Sequence, residues 1–202
     1  ANVAQFIIVP ARIGGPDGDV SLFLVDGATA GMTVTPVVSL DMTEKVFQVE
    51  LADALVPAEC VLGQPGQGAA VFDAVVQRAA VAAAAEMYGA ARASLDMSVE
   101  YAKTREQFGQ PIGSFQAVKH KLADMLLDAE AAFAATYYAA WAQDDHGDEA
   151  RIAAHVAKAY TNEAARKICG DAIQVHGGIG FTWEYDLHLY FKRAKHYEAL
   201  YG

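Results

Sequence analysis

The chain has 202 residues, 53% hydrophobic and 20% charged, with a formal net charge of −10. That balance describes a folded globular protein rather than a disordered segment. It argues against a sizeable nucleic-acid interface, which needs clustered Lys and Arg, yet leaves room for an anionic ligand held by local cations. The two cysteines, Cys60 and Cys169, fit no metal or redox spacing and read as buried thiols in a reducing, cytoplasmic compartment. No unbroken apolar run reaches the about 18 residues of a membrane span, so none is expected. The chain opens at Ala1 on strand-like sequence without a basic leader region, which suggests a true N-terminus further upstream.

The first sixty residues read as β. Apolar runs at Phe6–Val9, Leu22–Val25 and Val46–Leu51 are separated by turn residues from Gly14 to Asp19 and at Asp26-Gly27. VFQVEL alternates apolar and polar residues with period two, as a strand with one wet face does. Pro57 and the glycine-rich run Gly63 to Gly68 then mark a boundary.

Beyond it Ala, Leu, Met, Glu, Lys and Gln dominate, and the pattern predicts packed helices. One runs from about Ala70 to Lys103. FGQPIG interrupts it, since Pro111 cannot continue a helix, and Ser114 is the expected N-cap of a second helix reaching about Gln143. The residues from Asp144 to Asp148 turn the chain into a third helix ending near His176, and a last helical segment runs from Tyr185 to Leu200. Long helices with short connections predict an up-and-down antiparallel bundle. The expected fold class is α+β multidomain: a partial antiparallel β-sandwich or barrel over 1–62, a linker over 63–69, and a four-helix bundle over 70–202.

Two motifs stand out. In DAIQVHGGIGF, three glycines (Gly177, Gly178, Gly180) end an alanine-rich helix, with Gln174 one turn earlier. Such a stretch is either a glycine C-cap and tight turn, or a place where a pyrophosphate can approach the backbone. The other is YAKTREQFGQPIGSFQAVKH. Together, in this order on helices of this length, they resemble the C-terminal half of the acyl-CoA dehydrogenase family. The opening β segment, ending in VELADALVPAECVLGQPGQG, resembles the second half of that family's middle β-domain.

The resemblance implies a flavoprotein that oxidises an acyl-CoA thioester to its 2,3-enoyl form. A carboxylate removes the α-proton while hydride passes to flavin N5. Arg105, Gln107, Phe108, Phe115 and Gln116 fall where the family contacts FAD, and Gln174 and Gly178 where it contacts the pyrophosphate and adenosine side. In the family these contacts cross a subunit interface to the neighbour's flavin. Arg78 falls at a substrate-side position. Homo- or hetero-oligomers built as a dimer of dimers, with electron-transferring flavoprotein as acceptor, are likewise implied. The plainer alternatives stay open: Arg105 paired with Glu100 or Glu106, and Phe108 and Phe115 as core aromatics. His176 is read as a capping or core histidine, without chemistry.

At the family's two places for the base, this chain departs. Where a Glu would stand before the terminal glycine, the sequence has Tyr201, and a phenol is mostly protonated at neutral pH. On the first long helix the position before Arg78 is Gln77, which accepts no proton usefully, and Val75 replaces an acid expected for CoA contact. Glu198 and Glu86 are weak substitutes. Three readings follow: a subunit that completes a partner's FAD site in a heteromeric enzyme, as in bacterial steroid side-chain degradation; a homo-oligomeric dehydrogenase with a relocated base; or a flavin-free structural or regulatory module.

Overall fold

The computed structural model describes residues 2–144 and 147–201. They form two compact units that divide between Val76 and Gln77.

In the first unit, β1 (Phe6–Arg12), β2 (Val20–Asp26) and β5 (Val61–Leu62) make an antiparallel sheet in the order β1-β2-β5, with Val9 opposite Phe23. A second ladder joins β3 (Met32–Val37) to β4 (Val46–Leu51). The central strand β2 is the buried one: Ser21, Leu22 and Val25 are inside. The Ser21 hydroxyl accepts the Gly66 N–H at 2.7 Å, so its burial leaves no bare polar group. The three expected strands are present. β3 lies outside that expectation because Pro36 argues against a strand; it is tolerated opposite Phe47 because the ladder has only two strands.

The helices are α1 (Gly68–Thr104), α2 (Gln116–Ala142), α3 (Gly147–His176) and α4 (Leu187–Glu198). The second unit is the antiparallel bundle they form from Gln77 onward. Its core is built on fully buried alanines, among them Ala84, Ala91, Ala129, Ala132, Ala165 and Ala172, which let helix backbones approach closely. Met87, Met125, Ile168 and Leu187 fill the remaining volume. Buried hydroxyls are satisfied locally: Ser94 donates to the Ala90 carbonyl at 2.8 Å and Ser98 to the Ser94 carbonyl at 2.7 Å. By length and composition alone α1 could cross a membrane. Its buried face nonetheless packs in the bundle core through Met87, Ala91 and Leu95, and Glu86, Arg92 and Asp96 place charges along its middle.

Two local details differ from the sequence expectation. Ser114 is not the N-cap of α2. Its hydroxyl donates to the Pro111 carbonyl at 2.7 Å, closing a short 3-10 turn over Ile112–Ser114, and Phe115 takes the extended cap position. Cys60 is half-buried, whereas Cys169 is fully buried and its thiol is pushed up to about 11 by burial, which makes it inert. The expected turn over 144–148 includes Asp145 and His146, which lie outside the described residues.

Candidate functional site

Arg105 to Gln110 form a structure that propensity does not announce. β6 (Glu106–Gln107) and β7 (Gln110–Pro111) pair as a two-residue hairpin whose turn is Phe108-Gly109. Both turn residues have positive φ, +54° for Phe108 and +76° for Gly109, the mark of a type I′ turn. Glycine suits it and phenylalanine does not, because Cβ crowds the following carbonyl. Phe108 is nevertheless 92% exposed and touches Phe115 edge-on, with ring centroids 6.1 Å apart. A strained, solvent-facing aromatic is a sign of a contact made outside the chain. The alternative that Phe108 is a core aromatic is thereby removed; Phe115 is half-buried.

The polar members of the set are equally outward. Arg105, Gln116 and Gln174 are exposed, and their side chains make no hydrogen bond or ion pair among the described residues. Glu100 is taken by Lys103 at 2.6 Å rather than by Arg105. Gln107 donates to the Glu106 carbonyl at 2.7 Å. The glycines divide into two kinds. A Cβ on Gly180 would lie 2.8 Å from the Ile173 carbonyl oxygen, so the chain itself requires that glycine. A Cβ on Gly178 would meet nothing within 4 Å, and its φ is not positive, so nothing in this chain requires a glycine there. Gly177, with φ +63°, ends α3 as a C′ glycine, and a 3-10 turn over Gly177–Phe181 follows. The turn follows the carbonyl end of α3, where the macrodipole disfavours anions, so the helix itself supplies no positive charge there.

These pieces are held at one end of the bundle. Tyr101, in the last turn of α1, stacks on His176, the last residue of α3, with centroids 4.2 Å apart and planes at 24°. The Tyr101 carbonyl accepts the Arg105 N–H at 2.8 Å. The hairpin and the glycine turn are thus joined through one aromatic contact. The sequence reading of His176 as a capping or core histidine holds, since it is buried with Nδ1 2.8 Å from the Ala172 carbonyl, but its pairing with Tyr101 was not legible, because the two stand 75 positions apart on different helices.

The positions where a base would stand are elsewhere. Gln77 precedes Arg105 by a helical distance of roughly 40 Å at 1.5 Å per residue. Its amide donates to the Gln143 Oε1 at 3.0 Å, and the Gln143 Nε2 in turn donates to the carbonyls of Ala139 and Ala150 at 3.3 and 3.2 Å. Gln77 therefore ties α1 to the α2–α3 connection. Arg78 is exposed. Glu198 bridges Lys195 and Arg166, the latter at 3.7 Å, so its carboxylate is engaged in ion pairs at the α3–α4 contact rather than directed at an open site. Lys158, buried beneath it, donates to the Asn162 Oδ1 and the Tyr197 carbonyl at 2.9 Å each, capping the end of α4. Burial pushes the Lys158 ammonium down, with Glu198 opposing. Glu86 is held by Arg193 at 3.0 Å. Tyr201 is partly exposed, with φ +60°.

Residues 66–202 match the family of the acyl-CoA dehydrogenase C-terminal domain. The chain is 38% identical over 200 residues to the probable acyl-CoA dehydrogenase YngJ of Bacillus subtilis, covering 96% of this chain and 52% of that one. The structure superposes on butyryl-CoA dehydrogenase from Megasphaera elsdenii with a TM-score of 0.93 at 30% identity, over 98% of this chain and 53% of the other. It superposes on the ChsE4–ChsE5 complex from Mycobacterium tuberculosis with a TM-score of 0.85 at 34% identity, over 97% and 51%. This chain belongs to the acyl-CoA dehydrogenase family. It spans about half the length of these relatives. The bundle and the β region before it are those of the family's C-terminal part.

Proposed function

We propose that this chain completes the FAD site of an acyl-CoA dehydrogenase by reaching a partner subunit's flavin nucleotide, and that it supplies no catalytic base itself. The observation that carries this reading is an outward-facing set at one bundle end (Arg105, Phe108, Gln116, Gln174, Gly178), with Arg105, Gln116 and Gln174 making no side-chain bond among the described residues, while the base positions hold Gln77 and Tyr201. The groups fit a dinucleotide. Arg105 offers a planar fork of donors to phosphate oxygens, Phe108 an apolar face, and Gln116 and Gln174 hydrogen bonds. Gly178 leaves room for a backbone approach that the chain itself does not use.

Bound flavin would accept the electrons in 2,3-dehydrogenation of an acyl-CoA of the fatty or steroid side-chain class. This chain's residues bind and orient the nucleotide, and proton abstraction falls to a carboxylate of the partner. The assembly is a hetero-oligomer, a dimer of dimers, handing electrons to electron-transferring flavoprotein in the cytoplasm. Arg78, exposed on α1, faces acyl-CoA on its own side.

Expression with and without candidate partner subunits tests the reading. Flavin colour and acyl-CoA oxidation that depend on co-expression support it. Oxidation of acyl-CoA by this chain alone, abolished in Glu198→Gln, transfers the role to a relocated base. Colourless protein under both conditions points to a flavin-free module.

A further inference from the structure

We propose that His176 is the positioning residue of the nucleotide-contact surface: its ring ties the end of α1, with the hairpin bearing Arg105 and Phe108, to the end of α3, bearing Gln174 and Gly178. The consequence for flavin rests on the function proposed above; the tie itself does not.

Three rings close a triangle. His176 lies 4.2 Å from Tyr101 and 4.9 Å from Tyr185, and the two tyrosine rings are 6.4 Å apart. The imidazole is oriented by its own helix, because Nδ1 lies 2.8 Å from the Ala172 carbonyl, which can only accept. Nδ1 therefore carries the proton, and in the neutral ring Nε2 is a bare acceptor. That atom is buried with no hydrogen-bond partner among the described residues.

A leucine at this position would fill the volume without stranding an acceptor. What the histidine brings is a flat face fixed by an N–H bond, at a helix end that would otherwise fray. From the stacked ring the link to the hairpin runs through the backbone at the end of α1: the Tyr101 carbonyl accepts the Arg105 N–H at 2.8 Å, and the Arg105 carbonyl accepts the Ile112 N–H at 2.8 Å. On the other side, His176 is bonded in sequence to Gly177, where the chain turns toward Gly178 with φ +63°.

The test compares His176→Ala, His176→Phe and Tyr101→Leu in the full chain, prepared as the wild type is. Amide hydrogen exchange is read at Arg105 and Ile112 against amides in the middle of α2, together with the dissociation constant for FAD. Loss of the stack in His176→Ala or Tyr101→Leu speeds exchange at Arg105 and Ile112 about three- to tenfold over the α2 amides, and weakens FAD by a similar factor. His176→Phe keeps a ring against Tyr101 and returns both to within about twofold of wild type.

Exchange at the hairpin that rises only in step with the rest of the bundle overturns the proposal, as does an unchanged hairpin in Tyr101→Leu. Selective loosening of the hairpin in a protein that binds no FAD in any form supports the tie and refutes the flavin reading.

Discussion

Replacing Phe108 by asparagine separates stability from binding. A side chain in the left-handed region costs about 1–2 kcal/mol, and Asn is among the residues a type I′ turn favours. Against that gain stands the edge contact with Phe115, worth at most about 0.5–1.5 kcal/mol for a buried pair and less for a ring that is 92% exposed. Phe108→Asn is therefore expected to leave folding stability between unchanged and about 1 kcal/mol higher. For a chain of this size that is a thermal midpoint up to about 2–4 °C higher. Nucleotide affinity moves the other way. Burying a Phe side chain contributes about 1.5–3 kcal/mol, so its loss weakens FAD retention roughly 10- to 150-fold. Urea melts and a flavin titration on the same preparation give both numbers. A variant that loses stability while holding FAD as wild type does would refute the reasoning, because Phe108 would then be serving the fold.

Gly178→Ala is expected to change stability by no more than about 0.5 kcal/mol and to weaken FAD binding, whereas Gly180→Ala forces a Cβ to 2.8 Å from the Ile173 carbonyl oxygen and lowers the melting temperature. Paired melts and titrations check the contrast. Lys158→Met removes its hydrogen bonds to the Asn162 Oδ1 and to the Tyr197 carbonyl, the latter keeping the Leu200 N–H, and is expected to cost about 1–3 kcal/mol in urea unfolding. Burial holds the His176 pKa below its ordinary 6.5, so the unfolded chain takes up this proton first as pH falls. The stability His176 contributes is full above about pH 6.5 and declines below it, by at most about 1.4 kcal/mol per pH unit. Unfolding free energies of wild type and His176→Phe, compared between pH 5 and 8, isolate that slope.

The first three helices were legible because α1 to α3 are long, alanine-rich and separated by proline or glycine punctuation, and the shorter α4 because it follows the glycine break at 177–180. β3 was not, because Pro36 contradicts strand propensity and only the pairing with Phe47 on a two-stranded ladder overrides it. The residues proposed to contact a nucleotide stood out as a motif, but their physical peculiarities were not legible. Propensity gives no reason to expect Phe108 at positive φ, and spacing gives no hint that Gly178 stands free while Gly180 is wedged against Ile173. Glu198 looked like a spare base from its nearness to Tyr201. Three dimensions assign it to Lys195 and Arg166, two cations on α4 and α3.

The central claim is that the flavin is reached by this chain and served by a base from another. Its most direct measurement is acyl-CoA-dependent reduction of an artificial electron acceptor by the chain alone, by the co-expressed pair, and by the pair carrying Arg105→Ala. The expected result is no turnover alone, turnover in the pair, and flavin lost from the pair when Arg105 is removed. Turnover by the chain alone, or a pair that keeps its flavin without Arg105, would contradict it.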